Sequence, residues 1–386
     1  MLRRFALLAA VLAAALFPAS SGAADEPRPV RAKAVLVADG DTGEILFERH
    51  ADRRLAIASI TKIMTALVAL ERSDADETVE VQGRAPSVGE STINLRAGER
   101  LPLRDLLAAA LVQSANDAAF ALAAHVADGD VPRFVRLMNA RGAELGLGNT
   151  HFVRPDGLDI RGQYSTAGDV FVLAREAMKD PLFRKIVRMR GGKIAGGRSL
   201  YAWNDLLRTR SFPGIVGIKT GHTDSAGWSQ VAAARRDGVT IYAVILGSPT
   251  RAGRNADLAE LLEWGFDQYG RVTLVAAGRR YATAEVPFSD ERLALVAGRP
   301  AAMVVRLGRR LVEKVVAPAV VDLPVQRGEK LGEIRIYDGP RVIVRRALVA
   351  ADDVGEPGVG RRAGWYAGRA LDEAGSMLGS VFSALG

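Results

Sequence analysis

Ser59-Ile60-Thr61-Lys62 opens the run Ile63-Met64-Thr65-Ala66-Leu67-Val68, and the reading of this stretch decides what the rest of the chain must build around it. Apolar Ile60, Met64, Leu67 and Val68 recur with the helical period, and Ser59 stands just ahead of them, near a helix N-terminus. Residues i and i+3 share a helix face, so Lys62 projects one turn on, beside the Ser59 hydroxyl. A serine hydroxyl gives no alkoxide unaided at neutral pH, but a lysine whose pKa is lowered by burial or a nearby cation can take its proton. Arginine could not do this, because its pKa is too high. The chain has eight lysines against forty-four arginines, so a lysine here is the exception. A capped helix with a solvated lysine is the alternative.

Two further stretches favour the first reading. Ser114-Ala115-Asn116 follows the apolar run Leu106–Val112 and reads as a turn leaving a buried helix, with two polar side chains free to face a cleft. A second hydroxyl there can relay a proton to a leaving amine. The Asn116 amide can hold Lys62 and hydrogen-bond a substrate carbonyl. Lys219-Thr220-Gly221 closes the β-type run Gly214-Ile215-Val216-Gly217-Ile218. An edge strand can line a cleft, and Gly221 lets a substrate backbone come close. Lys219 offers a compact positive charge and Thr220 a hydroxyl, a pair suited to a free carboxylate. The backbone N–H groups of Ser59 and His222 would form an oxyanion hole. Each pattern alone arises easily by chance. In this order they specify an acylated serine, its base, a proton shuttle and a carboxylate holder.

With these residues the chain resembles the low-molecular-mass penicillin-binding proteins (the penicillin-binding protein 5/6 type), which are serine-type D-alanyl-D-alanine carboxypeptidases. The likeness runs over roughly residues 30–385. Lys219-Thr220-Gly221-His222-Thr223-Asp224-Ser225-Ala226-Gly227 is similar to the family's extended third motif. Asp156-Gly157-Leu158-Asp159 and Ser165-Thr166-Ala167-Gly168-Asp169 are similar to its middle region, and Ala38-Asp39 through Gly43-Glu44-Ile45-Leu46 to its first hairpin. Ile57 departs from the family's usual proline two residues before the nucleophile. The resemblance implies Ser59 as nucleophile, Lys62 as general base, Ser114 as shuttle and Asn116 as orienting residue. It implies Lys219, Thr220, Gly221 and His222 as the substrate-binding strand, and Arg254 as a further carboxylate contact. Arg254 lies in the arginine-rich Arg251-Ala252-Gly253-Arg254, where an ordinary solvated arginine is the alternative. The substrate so implied is a peptidoglycan stem ending in D-Ala-D-Ala, with β-lactam antibiotics as inhibitors. Two other functions stay open: a catalytically weak penicillin-binding envelope protein, and a serine β-lactamase. Against the second, the chain has no Glu-x-x-Leu-Asn to supply a deacylation carboxylate: Glu144 precedes Leu145-Gly146-Leu147-Gly148-Asn149, off by one residue.

Composition bounds the setting. Arg3-Arg4, an apolar stretch from Phe5 to Phe17, and small residues up to Ala23-Ala24 read as a secretory signal with cleavage near Ala24. The apolar stretch falls short of the roughly 20 residues that span a bilayer. An exported, periplasmic protein at the outer face of the cytoplasmic membrane is the expectation. Cysteine is absent, which excludes disulfides, thiol catalysis and cysteine zinc sites. His50, His125, His151 and His222 show no ligand spacing, so neither a metal nor any other cofactor is expected. Net charge is +8 and falls to +6 without Arg3 and Arg4. With export and no aromatic-interleaved basic stretch, this argues against nucleic acid and suits an anionic envelope surface or plain solubility.

The expected fold class is α+β: a β-lactamase/transpeptidase-like catalytic domain with an antiparallel sheet and helices on its faces. A small all-β domain and an amphipathic C-terminal helix follow it. The expected divisions are 1–24 signal, 25–270 catalytic, 271–360 β-sandwich and 361–386 helix. A hairpin at Ala34–Ala38 and Ile45–Glu48 and strands near Ile215–Lys219, Ser229–Ala234 and Thr240–Leu246 supply the sheet, with a helix from Ala256 to Tyr269. From Val272 to Asp353, alternating segments and turns at Arg327-Gly328 and Asp338-Gly339 give the β domain. Trp365–Leu385 places Leu371, Met377, Leu378, Phe382 and Leu385 on one face after Arg361 and Arg362, the pattern of a membrane-surface helix.

Overall fold

A computed structural model describes residues 26–367 and the strand backbone of Ala15–Leu16. Most of the signal-like segment, and the apolar face expected of the C-terminal helix, lie outside the described residues. The chain forms two compact units, one ending at Gln268 and one holding Tyr269 onward.

In the first unit, Ala34-Val35-Leu36-Val37-Ala38-Asp39 (β1) is buried at every position, as a central strand covered on both faces must be. It pairs with β2 (Ile45–Arg49) through a turn in which the Asp39 carboxylate accepts the Asp41 and Thr42 amides at 2.8 and 2.7 Å. The other three strands come from the far end of the unit: β3 (Ile215–Thr223), β4 (Gly227–Arg236) and β5 (Val239–Ser248). The antiparallel order is β2-β1-β5-β4-β3, which leaves β3 at an edge. Side chains alternate across a strand. Ile241 accordingly meets Gly265 of a helix at Arg251–Asp267 on one face, while Tyr242 meets Phe171 of a helix at Ala167–Ala177 on the other.

The intervening chain is helical. We number its elements α1 (Lys62–Arg72), α2 (Leu103–Ala108), α3 (Asn116–Val126), α4 (Val131–Glu144), α5 (Ala167–Ala177), α6 (Pro181–Val187), α7 (Asp205–Thr209) and α8 (Arg251–Asp267). α3 is alanine-rich and buried on every side along most of its length, the mark of a helix that neighbours enclose. Ile63, Met64 and Leu67 of α1, Leu106 and Leu107 of α2, Phe120 and Leu122 of α3, and Phe134 of α4 share one core with the sheet.

Two elements differ in their bounds from the sequence expectation. β3 does not stop at Lys219 but carries Lys219-Thr220-Gly221 inside it as far as Thr223. α8 begins at Arg251, five residues before the expected Ala256, because Thr250 caps it by accepting the Gly253 amide at 3.0 Å. It ends before Tyr269, which opens a strand of the second unit. That unit has the sheet order Ala15–Leu16, Leu311–Val316, Lys330–Asp338, Arg341–Ala350, Arg292–Ala297, Arg280–Glu285, and a separate pair of Tyr269–Val275 with Ala301–Arg306. Leu274, Leu293, Leu295, Ile334, Ile336 and Leu348 fill its core. A helical stretch starts at residue 359, and no helix among the described residues is long and apolar enough to cross a membrane.

Candidate active site

Ser59 sits on a single 3-10 turn, Ala58–Thr61, that runs directly into α1. The residue before it, Ala58, has φ +47, a left-handed conformation that costs an alanine about 1–2 kcal/mol and persists only where its surroundings enforce it. Gly157 is part of that enforcement. It lies against the Ala58 carbonyl with φ +86, and any Cβ there would overlap the carbonyl oxygen. Gly221 presses from the other side: a Cβ on it would come within 2.7 Å of the Ile57 carbonyl oxygen and 3.2 Å of the Ser59 amide nitrogen. The serine turn is thus clamped between a loop and the β3 edge.

Lys62 is fully buried, and its Nζ has three partners: Ser59 Oγ at 2.7 Å, Asn116 Oδ1 at 2.7 Å and the Asp156 carbonyl oxygen at 2.6 Å. The Asn116 orientation is fixed, since its Nδ2 donates to the Gly89 carbonyl at 3.0 Å. Two of the three partners are therefore acceptors only, and Ser59 alone can donate. A neutral amine gives its two protons to Asn116 and Asp156 and turns its lone pair to the Ser59 hydroxyl. Burial, opposed in part by the Asp156 carboxylate, lowers the Lys62 pKa to about 7, so that neutral form is populated near neutrality. The Asp156 carboxylate is itself buried and held by Arg154 at 2.5 and 2.7 Å.

The opposite wall is the end of α2, which loosens into a π turn at Ala109–Gln113 and breaks at Ser114, φ +66. That break aims the Ser114 hydroxyl at Lys219, whose Nζ lies 2.9 Å away and also donates to the Thr220 carbonyl at 2.8 Å. α3 starts at once with Asn116. The next residue, buried Asp117, accepts the Ile93 and Leu95 amides and so ties the 89–95 loop to the same wall. Lys219 is 1% exposed. Burial and then the positive charges of Lys62 and Arg254 push its pKa well below the ordinary lysine value. Among the described residues no carboxylate hydrogen-bonds it, which leaves that end of the site short of negative charge.

A cavity of about 220 Å³ lies between the walls. Ser59, Ser114, Asn116, Thr220, Gly221 and His222 line one part of it. The rest is Glu90, Ser91, Trp203, Trp228, Arg251 and Arg254, of which only Arg254 was singled out from the sequence. Arg254 is not a solvated arginine: it is 1% exposed, and burial together with Arg251 lowers its pKa to about 10. Asn255 accepts its Nη2 at 2.6 Å, with Asp205 at 3.5 Å. Asp205, at the start of α7, takes Arg251 at 2.7 and 2.6 Å and Asn255 at 2.8 Å, and so braces the arginine pair. His222 stacks on Trp228 with ring centroids 3.9 Å apart. Glu144 pairs with Arg141 on α4 and does not line the cavity. Among the described residues no cluster of histidines and carboxylates is arranged to hold a metal.

Residues 21–250 match the D-alanyl-D-alanine carboxypeptidase family, peptidase S11. The chain belongs to this family. The D-alanyl-D-alanine carboxypeptidase DacA of Escherichia coli strain K12 is 32% identical over 343 residues, which cover 85% of this chain and 84% of that one. Among solved structures, penicillin-binding protein 5 from Haemophilus influenzae matches with TM-score 0.62 and 27% identity over 86% of this chain and 100% of its own. Penicillin-binding protein D2 from Listeria monocytogenes, in an ampicillin-bound form, matches with TM-score 0.56 and 32% identity over 61% of this chain and 98% of its own. The family membership accounts for the fold of the first unit, and the match to penicillin-binding protein 5 extends into the second.

Proposed function

We propose that this chain is a serine-type D-Ala-D-Ala carboxypeptidase of cell-wall metabolism, exported and inhibited by penicillin. The observation that carries the reading is the Lys62 amine, fully buried, with Ser59 as the one partner able to donate to it. The terminal carboxylate of the peptide enters the cation-rich end, against Thr220, Lys219 and Arg254. Lys62 takes the Ser59 proton, and Oγ attacks the carbonyl carbon of the penultimate D-alanine. The backbone amides of Ser59 and His222 receive the oxyanion. As the C–N bond breaks, Ser114 passes a proton to the departing amine and takes in its place the one Lys62 had gained, leaving D-alanine, an acyl-Ser59 ester and a neutral Lys62. Water activated by Lys62 then hydrolyses the ester and restores the serine.

The test is release of D-alanine from a peptide ending in D-Ala-D-Ala, its suppression by penicillin, and the location of the penicilloyl mass on Ser59. Labelling without D-alanine release from any stem peptide would favour the weak penicillin-binding reading instead. Rapid turnover of penicillin would favour a β-lactamase, against which stand the family membership and the absence of Glu144 from the cavity.

Arg254 is the residue proposed to read the terminal carboxylate. Replacing it by alanine should lower kcat/KM about tenfold for a peptide with a free terminal carboxylate, the scale of a charge-assisted hydrogen bond. An amide-terminated analogue, which lacks that charge at the terminus, should change much less. Equal losses on both would assign Arg254 a merely structural part.

The segment 361–386 is proposed as the membrane-surface helix, with the basic Arg361 and Arg362 leading into it. A form ending at residue 360 should keep its penicillin reaction and lose co-sedimentation with vesicles containing anionic lipid. Undiminished sedimentation would remove the anchor from the proposal.

A further inference from the structure

The cavity is charged in opposite senses along its length. Arg251 and Arg254 line it beside Thr220, and Glu90 is the one carboxylate among the residues that line it. Burial dominates the titration of both active-site lysines, but the charges acting after it differ. Asp156, Arg154 and Glu90 act on Lys62, whereas Lys62 and Arg254 act on Lys219. Glu90 therefore belongs to the Lys62 side of the site and the arginines to the Lys219 side.

Its placement there is built rather than incidental. Asn116 grips the chain on both sides of Glu90: its Nδ2 donates to the Gly89 carbonyl at 3.0 Å and its backbone amide to the Ser91 carbonyl at 2.7 Å. Ser91 Oγ adds a bond to the Gln113 carbonyl at 2.9 Å. Held this way, Glu90 has φ +65, a conformation glycine or asparagine adopts at far less cost than glutamate. Its side chain is exposed, and no hydrogen bond or ion pair to its carboxylate occurs among the described residues. A strained backbone holding an unpaired carboxylate at the rim of a reactive cleft points to a ligand group of opposite charge.

The direction of the peptide says where that group sits. With the terminal carboxylate at Lys219 and Arg254 and the scissile carbonyl at Ser59, the acyl part of the substrate runs toward Asn116 and Glu90. We propose that Glu90 recognises a cationic side chain on the acyl side of the scissile bond. The enzyme would then select stem peptides carrying a free amine next to D-Ala-D-Ala over those in which that amine is acylated. This rests on the carboxypeptidase reading above and names the substrate class that the same site prefers.

The experiment uses the full chain and two peptides that differ only in the residue before D-Ala-D-Ala, lysine in one and Nε-acetyl-lysine in the other. At low salt the wild-type protein should favour the free amine by about two- to fivefold in kcat/KM, the size of an exposed ion pair. The preference should fade toward 1 M salt, where the screening length is about 3 Å. Glu90→Gln, which keeps the backbone and size, should lose the preference, so that kcat/KM becomes about equal for the two peptides. Glu90→Lys should invert it. An equal loss on both peptides in Glu90→Gln, or accumulation of acyl-enzyme with both, would place Glu90 in the chemistry and overturn the proposal. An unchanged preference in Glu90→Gln would overturn it as well. A wild-type protein that releases D-alanine from neither peptide would count against the carboxypeptidase reading, and this proposal would fall with it.

Discussion

Replacing Lys62 by methionine should slow acylation of Ser59 by penicillin by about 10²–10⁴-fold, the range that a positioned general base contributes. Methionine keeps the bulk of the side chain and removes the amine, so Ser59 keeps its hydroxyl but loses the one amine within hydrogen-bond distance among the described residues. The wild-type rate should also carry the titration of that amine. Below about pH 7 Lys62 is protonated, its three protons are spread over Ser59, Asn116 and Asp156, and no lone pair is left to accept from serine. The acylation rate should therefore fall about tenfold per pH unit as pH drops below about 7 and level off above it, since only the neutral amine can act as base. A variant within tenfold of wild type, or a flat profile between pH 5 and 9, would remove Lys62 from the role of base. A melting temperature near the wild-type value would show that the loss is chemical and not a failure to fold.

How much of this could be read in the chain follows from how local each feature is. Ser59 and Lys62 meet because they are three residues apart on one helical turn, so their spacing alone brings the hydroxyl to the amine. Ser114 and Asn116 are similarly local, flanking a break at the end of a recognisable apolar helix. Lys219-Thr220-Gly221 declared a strand, although its continuation to Thr223 rests on hairpin pairing with Gly227–Trp228 across the turn Asp224-Ser225-Ala226, whose polar residues read as the strand's end. The arginine site was legible only in part. Arg254 came from resemblance, while Asp205, Trp203 and Trp228 carry no local signature and meet Arg251 and Arg254 only once α7, β4 and α8 have packed. The third partner of Lys62 is a backbone carbonyl, an atom every residue has, and no side-chain pattern could have singled out Asp156 for it. The start of α8 was missed because Arg251-Ala252-Gly253-Arg254-Asn255 looks polar and loop-like, and the Thr250 cap overrides that impression.

Gly157→Ala should be among the most damaging single-methyl additions in the protein, even though residue 157 contributes no side chain. Its φ of +86 places an alanine in the left-handed region at a cost of about 1–2 kcal/mol, and the added Cβ overlaps the Ala58 carbonyl oxygen and comes within 2.9 Å of Thr61 Oγ1. Both neighbours belong to the turn that carries Ser59. Neither is the far end of a flexible chain, so the turn itself must move, and overpacking of this kind typically costs a further 1–3 kcal/mol or about that. A shift of about 1 Å at a reacting atom is worth about 100-fold in rate, so acylation should fall by at least about that factor together with a lower melting temperature. Gly83→Ala separates the two effects. Gly83 has φ +57 with nothing within 4 Å of a Cβ, so it should lose stability through backbone strain alone and leave acylation untouched. If Gly157→Ala behaved like Gly83→Ala, less stable but fully reactive, the clamp on the serine turn would have to lie elsewhere. The Gly221 side would then be the place to look, where an added Cβ faces the Ile57 carbonyl and the Ser59 amide from the substrate-binding strand.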